Sequence, residues 1–437
     1  MLRFAVPAAL AVAGAVLMAA AAPAQQAPAR PGLDAPELAA LGPFAVGVAD
    51  AEFVQPNQAD PLQGANSPAI VDRHLPVKIW YPAARPGKGI VYRSSLPGEK
   101  GEVAFAVPGI ATPGAATAAG RFPLVILAHG YSNTPEVLSW LGENLASKGY
   151  VVVAPAFRDP PITIRTAAAA AGPIARRPLD IVFVAAEAQR RARMGQGPLA
   201  AADAGRMVLI GYSMGGYGVL TAAGAPLAPG LAAATRGVLA PYVAGGPKAG
   251  ELKVADLKAV VAIAPASVVR GTAMWADPGV AAVRVPTLFV VGSQDKAVGY
   301  DPGVRTLWTD EVNAPRYLLT FREAGHSIAL IGAPPEMRKS FFDLDWFEDA
   351  VWRKDRLIAV QTHFITAFLD RYVKSDAAKA AYIDGLVPNS NDGTWPGLSP
   401  GRHAEYSPGP PVATLWKGFQ PNKAAGMSFE FKAAGRE

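Results

Sequence analysis

The stretch VLIGYSMGGYG, residues 208–218, places Ser213 between Gly211 and Gly215. A lone G-x-S-x-G is a weak signal in a chain with 44 glycines, so its setting decides its meaning. The apolar run MVLI leads straight into the motif, and small residues that can begin a helix follow it. At a sharp strand-to-helix turn, glycines at i−2 and i+2 let the two backbones pass closely while the serine hydroxyl projects outward. The amide of Met214 then points into the same space, and Gly216 relieves further crowding. In that setting Ser213 is a candidate nucleophile.

A serine hydroxyl needs a base to take its proton at neutral pH. The chain has five histidines, which keeps the search short. His326, in EAGHS, follows the last strand of the alternating region on a loop that can bring its imidazole over the serine. His129 opens HGYSN at the end of an earlier strand and is expected to organise that turn. His363 falls within a helical stretch, as a packing or solvent-facing residue. His74 and His403 have no neighbouring signal. His326 is therefore the expected base. A carboxylate is needed to set its tautomer and stabilise the imidazolium. Asp295, ending TLFVVGSQD just past a buried strand, is the first candidate. Asp301 is the near alternative, and Glu323 lies too close to His326 in sequence to be preferred. The remaining requirement is a pair of amides for negative charge developing on a carbonyl oxygen. Met214 supplies one, and the turn HGYS supplies the other through the backbone of Tyr131.

These residues must be positioned by a scaffold, and the hydrophobic pattern describes one. The runs FPLVILA, YVVVAPAF, RMVLIGYS, LKAVVAIAP and VPTLFVVGS are short, continuous and apolar, as expected of strands buried on both faces. Helical stretches PEVLSWLGENLASKG and LDIVFVAAEAQRRAR separate them. This alternation predicts an α/β fold with a mostly parallel sheet and helices on both faces. Earlier, DRHLPVKIWYPA alternates like a strand, while residues 87–120 read as a long surface excursion. Residues 222–252 interrupt the alternation as a lid or wall over the site. A helix is expected through RLIAVQTHFITAFLDRYV. The catalytic domain is thus expected over residues 67–375, with an irregular extension over 376–437 crossing it as a strap.

The first residues, MLRFAVPAALAVAGAVLMAAAAPAQQ, have a basic start, an apolar run and a small-residue site ending at Ala24. That pattern is a secretory signal peptide over 1–24, which implies a periplasmic or secreted protein. Residues 25–66, rich in Ala, Pro and Gln, read as a linker or loose arm. No later run is long and apolar enough to span a membrane. The chain has no cysteine, so its stability must come from core packing. Its net charge of +6 is scattered rather than gathered with aromatics into a stripe, which argues against a nucleic-acid partner.

With these residues in place, the chain from Phe122 to about Ser327 resembles an α/β-hydrolase. VKIWYPA, PLVILAHGYSN, LASKGYVVVAPAFRD and GYSMGG are similar to the dienelactone hydrolase-like group, which includes platelet-activating factor acetylhydrolase-like sequences. The HGYS turn, SMGG, VPTLFVVGSQD and GHS are also similar to secreted cutinase-like polyester hydrolases. The chain order Ser213, Asp295, His326 matches the nucleophile, acid, base order of that fold. Three departures limit what carries over. The plasma-type acetylhydrolases place their acid after the sixth strand, where this chain has AIAPAS. Dienelactone hydrolases proper use a cysteine nucleophile, and polyester hydrolases usually have a C-terminal disulfide; neither is possible here. The expectation is a serine hydrolase that cleaves small or lipid-like carboxylic esters through an acyl-enzyme, with no metal or organic cofactor. The alternatives are a serine peptidase or amidase on the same fold, or an inactive binding scaffold. Prolyl oligopeptidase-type peptidases carry an N-terminal propeller for which this chain has no room.

Overall fold

The computed structural model describes residues 32–393, 416–420 and 423–435. The expected signal peptide, the start of the arm and His403 lie outside the described residues. The long antiparallel hairpin of β1 (Ala45–Asp60) and β2 (Ala69–Ala83) comes first. A separate hairpin of β3 (Val91–Gly98) and β4 (Gly101–Pro108) follows, and β5 (Thr112–Pro113) returns beside β1. Strand–helix alternation then begins with β6 (Phe122–Ala128), α1 (Ser139–Ser147), β7 (Val151–Pro155) and α2 (Ala167–Arg193). It continues with β8 (Ala202–Tyr212), α3 (Met214–Ala222), the single turn α4 (Leu231–Ala234) and β9 (Leu257–Ile263). After the small ladder of β10 (Val268–Val269) and β11 (Thr272–Ala273) come β12 (Thr287–Gly292), α5 (Arg305–Asp310) and β13 (Arg316–Phe321). The chain ends with α6 (Phe341–Phe347), α7 (Lys354–Val373), α8 (Ala380–Ile383) and β14 (Met427–Lys432).

The main sheet has the order β14-β13-β12-β9-β8-β6-β7-β2-β1-β5. Its centre, from β13 across to β7, is parallel; β14 is antiparallel to β13, β2 is antiparallel to β7 and to β1, and β5 is parallel to β1. The pleat sends alternate residues to opposite faces. Val125 and Leu127 of β6, with Val208 and Ile210 of β8, face α1 and α7; Leu124, Ile126, Met207 and Leu209 face α2 and α3. The sheet is therefore covered on both sides, as the apolar runs predict. Among the described residues no helix is long and apolar enough to cross a membrane.

Three stretches depart from the expectation. The stretch read as an arm over 25–66 contains the 16-residue strand β1, which pairs with β2 along nearly its whole length and buries Phe53 fully. Its alternation is obscured because the residues that share a face with Phe53 are the small Gly47, Ala49 and Ala51, and by an irregularity between Gln55 and Gln58. The excursion at 87–120 contains the β3–β4 hairpin, which buries Tyr92, Leu96 and Phe105 in the core. There Trp80 Nε1 donates to Tyr92 Oη at 2.7 Å, and Tyr92 donates to Glu143 at 2.6 Å, so the hairpin is anchored by a buried polar chain. Finally, the extension at 376–437 is not irregular throughout, since β14 extends the sheet at β13 and Trp416 is fully buried.

α2 also starts earlier than the periodicity suggests, at Ala167, with Pro173 and Pro178 inside it. Thr166 caps it by accepting the Ala169 amide at 3.1 Å. A proline removes one helix hydrogen bond, which ordinarily ends a helix. Pro178 leaves the Ile174 carbonyl without its helical donor, and Tyr217 Oη of α3 supplies one at 3.2 Å.

The C-terminal segment is held by aromatic stacking on α7: Phe364 and Phe429 lie 4.4 Å apart at 15° between rings. Phe364→Ala should lower the unfolding free energy by about 3–5 kcal/mol in urea titrations. Phe341→Ala, at a ring that is 80% exposed, should move it by less than about 0.5 kcal/mol. Equal midpoints for the two variants would mean that the C-terminal segment does not close the core.

Candidate active site

Ser213 stands between β8 and α3 with φ +54° and ψ −115°. A left-handed backbone is strained for a residue with a Cβ, so its neighbours must hold it there. Its amide donates to the Ile263 carbonyl at 2.8 Å, and its carbonyl accepts from the amides of Ala266 and Tyr217, each at 3.1 Å. The flanking glycines are required by packing: a Cβ on Gly211 would collide with the Gly215 carbonyl, and one on Gly215 with the Ala128 carbonyl.

The structure brings Ser213, His326 and Asp295 together. His326 Nε2 lies 3.0 Å from Ser213 Oγ, and its Nδ1 lies 2.7 Å from Asp295 Oδ2. With the imidazole neutral, Nδ1–H donates to the carboxylate and Nε2 accepts from the hydroxyl. Asp295 is buried, and its other oxygen accepts the amides of Ala297 at 2.9 Å and Val298 at 3.0 Å. Both carboxylate oxygens are thus engaged, which fixes the plane that orients His326. The imidazole itself is partly exposed, so a substrate can reach it. Neither alternative acid is placed to do this: Asp301 faces Arg305 at 4.0 Å, and Glu323 is exposed on a left-handed turn.

Tyr131 lies on the turn after β6, half buried among the apolar side chains around Met214. Among the described residues its amide has no acceptor. Met214 is the first residue of α3, where amides have no partner within the helix and carry the positive end of its dipole. Gly130, the residue before Tyr131, lies against the serine: a Cβ on it would be 3.2 Å from Ser213 Cβ. Among the described residues no group of three or more His, Asp or Glu side chains converges as metal ligands.

His129 is fully buried, with Nδ1 donating to the Gly130 carbonyl at 2.7 Å and Nε2 accepting the Phe157 amide at 3.1 Å. It shapes the Tyr131 turn, and its ring meets neither Ser213 nor Asp295. His363 is buried on α7 and accepts the Leu38 amide at 3.2 Å, while His74 faces Glu52 at the surface. Residues 222–252 form a packed wall: Leu227, Leu231, Leu239 and Val243 share a small core with Met214 and Tyr217.

Sequence reading missed several supports. Tyr212 stacks on His326 with centroids 5.1 Å apart and donates to the His326 carbonyl at 3.1 Å. Asp349 accepts the Gly325 amide at 2.7 Å, which holds the loop just before His326. Trp346 bridges the two halves of the site: its Nε1 donates to Asn133 at 3.2 Å, and its carbonyl accepts from Ser327 Oγ at 2.9 Å. Trp346 and Asp349 belong to the acidic, aromatic run SFFDLDWFEDAVW, whose composition is the one sequence feature that sets this segment apart.

Residues 104–244 match the family model described as PET hydrolase-like, a cutinase-like polyester hydrolase family of the α/β-hydrolase superfamily. No curated protein matches the chain. The matched stretch is about a third of the sequence; it includes the Tyr131 turn and Ser213 but not Asp295 or His326. Together with the mostly parallel sheet, the match gives the chain the α/β-hydrolase fold and supports a hydrolase acting on esters.

Burial holds both His129 and His363 down at about 3, helped by Arg177 near the first and Lys148 near the second. Their folded pKa lies below the usual value near 6.5, so the unfolded chain takes up protons first as pH falls. Stability contributed by their neutral form is complete above about pH 6.5 and is lost as pH falls toward 3. Imidazole NMR should show both rings neutral down to about pH 4. His363→Leu should remove about 1.6 kcal/mol of the stability change between pH 6.5 and 5. A ring that titrates near 6.5 would contradict its burial.

Proposed function

We propose that the protein is an exported serine hydrolase that cleaves carboxylic esters through an acyl-enzyme. The observation that carries this reading is the continuous line Ser213 Oγ, His326, Asp295 at the strained end of β8. As Ser213 Oγ attacks the ester carbonyl, its proton passes to His326 Nε2, and Asp295 stabilises the imidazolium. The carbonyl oxygen becomes an oxyanion that accepts from the amides of Tyr131 and Met214. Collapse of the tetrahedral intermediate breaks the bond to the alkoxy group, which takes the proton from His326. Water then attacks the acyl-enzyme with His326 as base, and the carboxylic acid leaves with Ser213 restored.

The substrate reading is a small or lipid-like ester with an apolar acyl group. The packed wall from Leu227 to Val243 beside Met214, and the half-buried Tyr131, give the site an apolar side. The likeness to PET hydrolases makes a polyester chain a second reading for the same chemistry. Export rests on the leader expected over residues 1–24.

Hydrolysis of p-nitrophenyl esters from acetate to palmitate, with an aromatic polyester film alongside, tests this reading. Ser213→Ala should lower kcat by at least about 10⁴-fold, and Asp295→Asn by about 10⁴-fold. Release of acid from the film would select the polyester reading. Cleavage of p-nitroanilides in preference to esters would favour a peptidase or amidase. If the wild-type protein turns over neither and Ser213 resists a fluorophosphonate, the inactive-scaffold alternative stands.

A further inference from the structure

The Tyr131 turn needs support, because it carries a free amide and is followed by Ser132 in a left-handed conformation, φ +54°. Arg177 of α2 is completely buried and grips Asp159 with both terminal nitrogens, at 3.2 and 2.7 Å. Its Nη2 also donates to the Gly130 carbonyl at 3.0 Å. Asp159 Oδ2 in turn accepts the Ser132 amide at 3.0 Å. The pair therefore holds the carbonyl just before Tyr131 and the amide just after it. The guanidinium lies 3.8 Å from the centre of the Phe157 ring, whose own amide donates to His129, so the base of the turn is clamped as well.

The same arginine meets the helix that carries the other oxyanion donor. Gly218 of α3 faces the stem of Arg177, and a Cβ there would lie 3.0 Å from Arg177 Cγ and 2.5 Å from Ile181 Cδ1. One turn away, Tyr217 Oη bonds the Ile174 carbonyl that Pro178 leaves free. α2 and α3 are thus locked together at Arg177 by close packing and by a hydrogen bond. The Tyr131 amide is referenced to Arg177 through Gly130 and Asp159, and the Met214 amide through α3.

We infer that Arg177 and Asp159 are positioning residues that set the spacing between the Tyr131 and Met214 amides. This rests on the ester-hydrolase reading above. Neither side chain touches substrate; the pair keeps two backbone donors at the separation a developing oxyanion requires. Such donors act in the transition state, so disturbing them lowers kcat rather than raising KM. Were the pair to serve only the fold, breaking it would lower stability and leave each correctly folded site at full rate.

The experiment measures kcat per active site for Asp159→Asn, Arg177→Lys and Arg177→Met, with sites counted by the p-nitrophenol burst. Each should lose about 10- to 100-fold in kcat with KM within about 3-fold, somewhat less than complete removal of one oxyanion donor. Arg177→Lys keeps the charge but not the two-pronged grip, and should fall between the wild type and Arg177→Met. Affinity for a boronic acid, whose tetrahedral adduct at Ser213 uses the same amides, should weaken in parallel. Gly218→Ala, which moves α3 from Arg177 without removing a charge, should lower kcat in the same way; it serves if the charge variants do not fold. Arg190→Gln, on the exposed part of α2, should leave kcat unchanged. Unaltered kcat per site with a lower melting temperature would overturn the inference alone. A wild-type protein inert to esters and boronic acids would overturn the ester-hydrolase reading and this inference with it.

Discussion

The left-handed backbone of Ser213 is the constraint on which the site depends. A residue with a Cβ resists that conformation by about 1–2 kcal/mol, so it persists only where surrounding structure over-determines it. Here the surroundings are the end of β9, which supplies the Ile263 carbonyl and the Ala266 amide, and the first turn of α3, which supplies the Tyr217 amide. With Ser213 so held, its hydroxyl meets His326 Nε2, and the first amide of α3 follows it directly in the chain. The glycines at 211 and 215 follow from the same geometry, because the entering strand, the leaving helix and the end of β6 pass within contact of one another.

Parallel strands bring the remaining groups to that place. Loops leaving the carboxyl ends of neighbouring parallel strands share one edge of the sheet, which is where open α/β sheets assemble their sites. The Tyr131 turn leaves β6, Ser213 leaves β8, Asp295 leaves β12, and His326 follows β13. β9 lies between β8 and β12 and contributes backbone bonds to Ser213 rather than a side chain to the chemistry. The strand order thus separates Ser213 from Asp295 by one strand, a gap that His326 bridges.

The site is stiffened by polar groups taken out of water, each of which must be paired. Asp295 accepts two amides besides His326, His129 uses both ring nitrogens on backbone, and Asp349 holds the His326 loop. Apolar walls come from outside the central alternation: the segment after α3 packs on Met214, and Trp346 joins the Tyr131 turn to the His326 loop. The site therefore draws on chain segments far apart in sequence while its reacting edge stays within the parallel strands.

The sequence by itself determined the alternation that makes the parallel sheet, since fully buried strands must be short continuous apolar runs. It also determined the serine turn, because glycines at i−2 and i+2 between an apolar strand and a small-residue helix serve little else. With five histidines and few carboxylates at strand ends, His326 and Asp295 were legible as partners, and the structure places both within hydrogen-bond distance of the expected atoms. Tertiary structure decided what local pattern does not encode. β1 and the β3–β4 hairpin are strands because of what they pack on, and their Ala-, Gly- and Pro-rich sequences have weak periodicity of their own. α2 continues through Pro178 with a donor and a packing face supplied by α3. The Arg177–Asp159 grip on the Tyr131 turn joins residues whose charges look like surface charges in sequence. Burial and pairing arise only when distant segments meet, and that is why these roles had to wait for the fold.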